Sequence, residues 1–293
     1  MTNERPEGGE NETGARGPVL RVLEGEEAGR VIVLAPGAER TLGGEGSDEK
    51  VLAAEVGPVV RVAVSEDSSR VVVEDLTGRG VLVNHLKFCD RRLVDGDLFV
   101  AGDAVLLYAE NVDLARASAA AGERRGTPGL LPVPRLFHSV YREGPFEECL
   151  VCSESLRAPF RQYFVEKVFR GREVILEAAI CVPCMLKMQG EFSEESRERL
   201  EAFGRQRMGQ SKHSFVRCDL CSAPRGDTGE MNLIGAFVGR WLVRDGVFLL
   251  CETCVLAIQE LLSQKTRDVH REFLDDRFPG VPYDLDVPSP IFL

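Results

Sequence analysis

Residues 75–85 read DLTGRGVLVNH, and this stretch carries the clearest fold signal in the chain. A run of β-type residues ends at DL, the turn Gly78-Arg79-Gly80 follows, and VLVNH begins a second run. Glycine on both sides of a polar residue is typical of a tight turn between strands. Exposed turns often carry function, so the segment raises the question whether it holds a ligand.

Similar runs surround this hairpin over residues 18–110. The clearest are VLRVL, RVIVLA, VVRVAV, RVVVEDL, VLVNH and DAVLLYA. Several alternate apolar and polar residues, and Gly, Asp and Ser interrupt them at close spacing. Many short strands separated by turn signals predict an antiparallel β-sandwich.

The composition is that of a globular protein and argues against two classes of partner. The chain has 293 residues, 44% of them hydrophobic, and a net charge of -11. The region from Val19 to Glu110 has ten basic and 17 acidic residues, and the region from Glu147 to Asp275 has 18 basic and 20 acidic residues. Neither region has the excess of positive charge that nucleic-acid binding requires. No apolar run reaches the length of a membrane span. The polar start MTNERPEGGENETGARG lacks a secretory core, which predicts a cytoplasmic location.

Eight of the nine cysteines form four CxxC pairs, and Cys89 stands alone. The gap is 28 residues between the first two pairs and 29 between the last two. In chain order the pairs are Cys149 and Cys152, Cys181 and Cys184, Cys218 and Cys221, and Cys251 and Cys254. In a reducing compartment, paired cysteines more often hold metal than form disulfides.

The match between the two halves of this region extends beyond cysteine. Serine follows each opening pair, and Gln, Ser, Arg and Phe follow each closing pair at the same distances. The matched residues are Ser153 and Ser222, Gln189 and Gln259, Ser193 and Ser263, Arg197 and Arg267, and Phe203 and Phe273. This indicates an internal duplication with a period of about 70 residues. Each copy is therefore expected to complete its own site.

Each copy has the same local pattern. QYFVEKVF-RGR-EVILEAA predicts strand, turn and strand, and IGAFVGRWLVR-DG-VFLL does the same with Asp245-Gly246 as the turn. Helical spacing follows each closing pair, and Ser193 and Ser263 are expected to cap a second helix in each copy. The aromatic residues of the second hairpin are expected to pack inside, with an exposed interaction surface as the alternative; they are Phe237, Trp241 and Phe248.

Four cysteines per copy match a structural zinc site, because zinc takes four thiolates in a tetrahedron. The prediction is two zinc ions per chain. The order of knuckle, hairpin and helix resembles a treble clef, with a zinc ribbon as the second possibility. Redox dithiols and disulfides are the other interpretations of the pairs. A closed four-cysteine site leaves no position for a reacting water, so it predicts no catalysis.

No catalytic constellation appears elsewhere in the sequence. The four histidines, His85, His138, His213 and His270, show no ligand spacing and are expected on the surface or in packing. The glycines of GGEGSDE at 43–49 do not match a phosphate-binding loop. The chain is therefore predicted not to be an enzyme.

Residues 18–110 resemble forkhead-associated (FHA) domains. The resemblance rests on VLRVLEGEEAGRVIVL, a TLGG turn, VVVEDLTGRGVLVNH and RRLVDGDLFVAGDAVLLYAE, above all on the DL…G..VN segment and the L.DGD….G…L.Y ending. It implies a sandwich of about eleven strands. It also implies recognition of phosphothreonine peptides through loops at one end.

The residues that read phosphate in this family are mostly replaced. Gly43-Gly44 lies at the position of the family's Gly-Arg, so the arginine is replaced by Gly44. Gly57 and Val60 lie at the positions of its serine and histidine. Arg79 lies at the position of an asparagine. Gly44, Gly57 and Val60 offer no side-chain donor to a phosphate. The residues that remain as possible phosphopeptide contacts are Thr77, Arg79 and Asn84, and Arg61 is a further candidate for an anion site.

The predicted fold is multidomain, an all-β FHA-like sandwich followed by an α+β tandem zinc-binding domain. The two modules are expected to stack into one domain, because each is too small to bury much alone. The predicted boundaries are a disordered tail (1–17), the sandwich (18–110), a linker (111–146), zinc module 1 (147–212), zinc module 2 (213–275) and a C-terminal tail (276–293). The tail is expected to cover the zinc domain or to dock on a partner.

The predicted function is that of a protein-binding adaptor or scaffold, with a protein or peptide as partner and no dependence on phosphate. Three alternatives stay open: a phosphothreonine-peptide reader with a rearranged pocket, a nucleic-acid-binding zinc protein and a thiol redox enzyme.

Overall fold

A computed structural model describes residues 15–52, 57–115, 129–207, 214–225 and 229–278. These residues form a β-sandwich, Arg16 to Asp113, and a C-terminal domain, residues 129–278. Several predicted segments lie wholly or partly outside the described residues. They are the first 14 residues of the N-terminal tail, the middle of the linker, His213 and residues 279–293.

Eleven strands build the sandwich, which agrees with the number that the resemblance implies. One sheet has six strands in the order β2-β1-β11-β10-β7-β8, and the other has five in the order β4-β3-β5-β6-β9. The strands are β1 (Arg16–Glu24), β2 (Val31–Val33), β3 (Glu39–Gly43), β4 (Glu49–Lys50), β5 (Pro58–Val64), β6 (Val71–Asp75), β7 (Val81–Val83), β8 (Leu86–Phe88), β9 (Asp90–Leu93), β10 (Leu98–Ala101) and β11 (Ala104–Asp113).

Alternation of apolar side chains places the core between the two sheets. In β5, Val60, Val62 and Val64 are buried, while the residues between them are half-buried. Side chains of successive strand residues point to opposite faces, so one face of β5 lines the core. The TLGG segment was expected as a turn, but Thr41–Gly43 ends strand β3, because Leu42 is fully buried and pairs with Val60.

The C-terminal domain is one antiparallel sheet with helices after each hairpin. Both hairpins belong to the same five-stranded sheet, in the order β12-β16-β15-β13-β14, so the expectation of a single stacked domain is confirmed. The elements are β12 (Leu130–Pro132), a 3-10 turn (Arg135–Phe137), β13 (Gln162–Arg170), β14 (Glu173–Cys181), α1 (Val182–Gly190), α2 (Glu194–Arg207), β15 (Glu230–Val238), β16 (Trp241–Cys251), α3 (Glu252–Gln259) and α4 (Gln264–Arg277).

The duplication is visible where the second helix of each copy begins. Ser193 caps α2 and Ser263 caps α4, each by accepting a backbone N–H three residues later, as predicted. The two caps also exchange bonds: the Ser193 N–H donates to the Thr266 hydroxyl, and the Ser263 N–H donates to the Ser196 hydroxyl. The serine hydroxyls of the two caps lie 2.8 Å apart. This reciprocal arrangement satisfies helix-start donors of both copies at one junction.

The second hairpin turns at a different place from the predicted one. The strands β15 and β16 meet at Gly239 and Arg240, where Gly239 has a left-handed φ of +56°. Asp245-Gly246, predicted as the turn, lies inside β16 at an irregularity of the β15–β16 register. Gly246 packs against Ala236 so closely that an added Cβ would lie 2.7 Å from the Ala236 side chain. The glycine therefore serves a bulge and not a turn.

The segment before the first cysteine pair contributes to the core of the C-terminal domain. Strand β12 pairs with β16, and Leu131, Leu136 and Phe137 are buried. Gly235 makes room for Phe137, since a Cβ at that glycine would lie 2.6 Å from the ring. The composition assigns residues 130–135 to the linker, whereas the more apolar segment LFHSVYREGPF at 136–146 is expected to dock on the next domain, and the burial of Leu136 and Phe137 agrees with this.

The C-terminal domain packs on the six-stranded sheet of the sandwich. Leu98 and Val105 of that sheet share one buried cluster with Phe137. The carboxylate of Glu24 accepts bonds from the Ser214 hydroxyl and the Phe215 N–H. Burial raises the pKa of Glu24 to about 7, although these bonds oppose the shift. The two units therefore meet through both apolar and polar contacts.

Among the described residues, no helix combines the length and the apolar character that crossing a membrane requires.

We expect His270→Leu to make the C-terminal domain less sensitive to acid. His270 is buried against Phe192, and neither of its ring nitrogens has a hydrogen-bond partner in the described part of the chain. Burial lowers the pKa of His270 to about 4. Near pH 6.5 the imidazole therefore binds a proton in the unfolded chain but stays neutral in the folded chain. The free energy of unfolding therefore falls as the pH drops from 6.5 toward 4. The first copy has Leu200 at the equivalent position, which indicates that leucine is compatible with this packing.

Urea unfolding of the two proteins at pH 7.5 and pH 5.5 measures this effect. The stability difference in favour of His270→Leu should be larger at pH 5.5 by about 1.4 kcal/mol. Contributions of the other histidines cancel because both proteins contain them. An equal difference at the two pH values would show that His270 does not titrate as expected.

Candidate functional site

The eight paired cysteines form two clusters, each within one copy. Cluster 1 is Cys149, Cys152, Cys181 and Cys184, and cluster 2 is Cys218, Cys221, Cys251 and Cys254. All sulfur atoms of a cluster lie within 4.8 Å of one another. Each cluster thus takes all four cysteines from one copy, the grouping that the duplication predicts, and could hold a metal ion.

The sulfur separations match a metal tetrahedron and not a disulfide. The sulfurs of Cys152 and Cys181 are 3.8 Å apart, and those of Cys221 and Cys251 are 3.6 Å apart. Four thiolates about 2.3 Å from a zinc ion would have sulfurs about 3.8 Å apart. A disulfide requires about 2.0 Å. All nine cysteines lie in the described part of the chain, and all are free thiols.

The same local structure presents the opening pair in both copies. Ser153 and Ser222, which follow these pairs, have left-handed φ angles of 57° and 61°. Their N–H groups donate to the carbonyls of Cys149 and Cys218 at 2.9 and 2.8 Å and close a tight turn around the two sulfurs. The repeated serine therefore marks a repeated backbone conformation.

The closing pair lies where a strand meets a helix. Cys181 ends β14 and is the N-cap of α1, and Cys184 lies in the first turn of that helix. Cys251 and Cys254 hold the same places at the end of β16 and the start of α3. Burial, together with the neighbouring cysteines, raises the pKa of Cys184 and Cys254, so these thiolates need a positive partner. The helix N-terminus contributes part of it, and a bound metal ion would contribute the rest.

Backbone N–H groups also favour thiolates in the opening pairs. Burial raises the pKa of Cys149, but N–H groups of Cys181, Cys152 and Val151 outweigh burial and lower this pKa to about 7. In cluster 2, the Ala223 N–H lowers the pKa of Cys221. The donor set thus fits a soft divalent metal held by four sulfurs, with no coordination position left over.

In the sandwich, the carboxylate of Asp75 holds the turn between β6 and β7 together through hydrogen bonds. Asp75 accepts the N–H and the hydroxyl of Thr77 and the N–H of Gly80. Partial burial raises the pKa of Asp75, but these bonds outweigh it and leave the pKa below its ordinary value. The Thr77 hydroxyl in turn accepts the Arg79 N–H at 3.2 Å. Thr77 and Arg79 are exposed at the tip of this turn.

The other phosphate-reading slots lack donors in the structure as they do in the sequence. Gly43 and Gly44 are buried backbone, and Val60 is 2% exposed with its side chain in the sandwich core. Gly57 is exposed, and residues 53–56 before it lie outside the described residues. Arg61, a further candidate, pairs with Glu74 across the sheet at 3.0 Å.

The structure places Asn84 apart from Thr77 and Arg79. Strand β7 separates the two turns, so they lie at opposite ends of that strand. The Asn84 amide donates to Asp97 at 3.0 Å and accepts the Leu98 N–H at 3.1 Å. The side chain therefore fixes the start of β10. Asn84 itself has a left-handed φ of 54°, a conformation that asparagine tolerates better than most other residues, which explains why an asparagine lies here. Among the described residues, no hydrogen bond joins Asn84 to Thr77 or Arg79.

Comparisons with known proteins give matches in structure but none in sequence. No protein-family model matches the chain, and no curated protein matches it in sequence. Solved FHA domains match in structure. The FHA domain of the CT664 protein from Chlamydia trachomatis is 20% identical, and the match covers 32% of this chain and 96% of that domain (TM-score 0.29). The FHA domain of an Arabidopsis thaliana protein is 21% identical, and the match covers 41% of this chain and 100% of that domain (TM-score 0.30).

A further match is Mycobacterium tuberculosis EmbR, solved in complex with a low-affinity phosphopeptide, with 20% identity over 33% of this chain and 25% of its own (TM-score 0.28). These matches cover between about a third and two fifths of the chain. At these identities they concern the fold alone.

Sequence reasoning missed Asp75 and misplaced Trp241. Asp75 opens the quoted stretch, and an Asp two residues before a Thr-Gly turn is a recognisable side-chain-capped turn. Trp241 was expected to pack inside the second hairpin, but it is 47% exposed, because the hairpin turns at Gly239 and brings this ring to the surface. Phe237 is buried as predicted, and Phe248 is half-buried.

Proposed function

We propose that the chain is a non-enzymatic, protein-binding adaptor whose FHA-like sandwich binds its partner without a phosphate. The observation that carries this proposal is the replacement of the donors at the end of the sandwich. Val60 points into the core, Gly44 and Gly57 have no side-chain donor, and Arg79 lies exposed at the tip of its turn. Tight phosphate binding needs several charged donors held in place, and these replacements remove them from their usual positions.

In the same proposal, the C-terminal domain holds two structural zinc ions. Four thiolates in a closed shell suit zinc better than harder metals and leave no site for a reacting water. The sequence of knuckle, hairpin and helix in each copy supports a treble-clef arrangement and disfavours a zinc ribbon. When bound, zinc would cross-link the knuckle to the helix start. Free thiols throughout the chain suit a reducing compartment such as the cytoplasm.

Binding to a degenerate phosphothreonine peptide library, beside its unphosphorylated twin, tests the proposal on the full chain. We expect no preference for the phosphorylated library. Phosphatase treatment of a cell lysate should likewise leave the set of captured proteins unchanged. A preference for phosphopeptides would contradict the adaptor proposal.

The phosphopeptide reader is the second candidate, and exposed Arg79 is the observation that favours it. In that case Arg79→Ala should abolish a phosphate-dependent preference, because one charge-assisted bond contributes much of the affinity at an exposed site. Arg70→Ala is the matched control, since Arg70 is also an exposed arginine of the sandwich but lies before β6. Equal effects of the two substitutions would point to general charge attraction and not to a pocket.

A further inference from the structure

A cleft runs between the sandwich and the C-terminal domain. Its volume is about 680 Å³, within the range of sites that hold a short peptide or a small ligand. Tyr108 and Glu110 of β11 line the sandwich wall. The opposite wall is formed by Tyr163 and by the hairpin turn that ends at Trp241. The cleft therefore exists only because the two units pack together.

Large aromatic side chains are exposed on this wall and beside it. Trp241, which lines the cleft, is 47% exposed, and Phe160, which lies outside the lining, is 89% exposed. Phe160 also has a left-handed φ of 62°, a conformation that is unfavourable for a non-glycine residue. The Gly239 N–H donates to the Arg161 carbonyl at 2.8 Å, so the turn of Phe160 is joined to the turn beside Trp241. Neighbouring exposed aromatics, one of them on strained backbone, are typical of an interaction surface.

Charge on this wall selects the kind of segment that would fit. Arg157 and Arg240 line the cleft beside the aromatic rings. Arg240 is exposed and has no ion pair among the described residues, and Arg157 has only a 3.4 Å pair with Glu147, a largely exposed residue. The sandwich wall carries Asp95 and Glu110. An extended, apolar segment whose carboxylates face the C-terminal domain would pair with these arginines and keep its own charges away from the acidic sandwich wall.

Residues 279–293 of the same chain have this chemistry. Their sequence, PGVPYDLDVPSPIFL, contains four prolines, two aspartates and no basic residue. Proline-rich segments are pre-extended and dock on aromatic grooves at a low entropy cost. The segment follows Phe278, which packs on the core of the C-terminal domain. Fifteen extended residues reach about 50 Å, and such a tether gives a millimolar effective concentration.

We propose that residues 279–293 occupy this cleft in cis. Prolines and Tyr283 would pack on Trp241 and Tyr163, and Asp284 and Asp286 would face Arg240 and Arg157. This proposal does not rest on the function proposed above, because it concerns a different surface.

Trp241 reports on the cleft directly, because it is the single tryptophan of the chain. The test compares the full chain with a chain that ends at Phe278. We expect the shortened chain to show a red-shifted tryptophan emission and stronger acrylamide quenching. A synthetic peptide of residues 279–293 should reverse both changes with saturation.

Charge reversal separates docking from a general effect of truncation. In the full chain, Arg240→Glu should expose Trp241, and adding Asp284→Lys and Asp286→Lys should protect it again. Urea midpoint and bound metal should stay unchanged in these variants, which controls for folding. A scrambled peptide should have no effect. Identical emission and quenching in the full and shortened chains would overturn the proposal, and so would an equal effect of the scrambled peptide. Loss of Trp241 protection on dilution would also overturn it, because it would indicate a second copy as the occupant.

Discussion

Replacing one cysteine of either cluster is expected to release one metal ion and to unfold the C-terminal domain. Cys181→Ser and Cys251→Ser are equivalent tests, because each residue ends a strand and caps the helix after it. Structural zinc contributes about 10–16 kcal/mol to the folding of small zinc modules. A whole domain is stable by only about 5–15 kcal/mol, so the loss of one site exceeds what packing supplies.

Native mass spectrometry and far-UV circular dichroism measure the two consequences. The unaltered chain should carry two zinc ions, and each variant one at most. Cys89→Ser is the matched control, since Cys89 is exposed and outside both clusters. It should retain both ions and an unchanged spectrum. The structural role of the metal would be refuted if a chelator removed both ions from the unaltered chain and left cooperative unfolding intact.

The parts of the fold that the sequence predicts are those with local signals. Alternating valines specify strands such as β5 because one face must be buried. The cysteine repeat specifies two metal clusters because its spacing is independent of tertiary context. The repeated Ser153 and Ser222 also have a local cause, the left-handed residue that closes each turn.

The parts that could not be predicted depend on contacts between distant residues. Asp245-Gly246 is a strong local turn signal, yet Ala236 of the neighbouring strand approaches Gly246 and makes it a bulge. Leu131 follows a linker-like composition, but it is buried because β12 pairs with β16, about 110 residues later in the chain. Local patterns do not contain this information.

The candidate site in the sandwich shows the same division. The sequence identifies an exposed turn with Thr77 and Arg79, and the structure has this turn. Asn84 was grouped with them because of its place in a family motif. Its amide is instead used to bind Asp97 and Leu98, a role that depends on the pairing of β7 with β10.

A second large effect is expected from breaking the buried ion pair of the first hairpin. Lys167 and Glu177 lie opposite each other on β13 and β14, 1% and 4% exposed at the side chain, with nitrogen and oxygen 3.3 Å apart. Lys167 also donates to the His138 carbonyl, and Glu177 accepts from the Ser139 hydroxyl and the Val140 N–H. The pair thereby fixes residues 138–140 on the hairpin. Glu177→Leu should cost about 3–5 kcal/mol, because it leaves a buried lysine without its counter-ion.

The double variant Lys167→Met/Glu177→Leu should recover at least about 2 kcal/mol of this loss. The second hairpin supports this expectation, because Gly235 and buried Val247 occupy the equivalent pair of positions without charge. Urea unfolding of the four proteins of this cycle gives the coupling energy. Glu195→Ala, which removes an exposed pair with Arg199, is the control and should change stability by less than about 0.5 kcal/mol. Simple addition of the two single effects would contradict the argument.

The pH dependence of Glu177→Leu distinguishes a stranded charge from a mere packing defect. Burial lowers the pKa of Lys167, and Glu177 opposes this shift in the unaltered chain. Without Glu177, the folded chain should release the lysine proton at a lower pH than the unfolded chain does. The unfolded state then binds more protons, so the free energy of unfolding should rise between pH 7 and pH 9. A packing defect alone would leave the stability loss constant over this range, because no proton would be exchanged on unfolding.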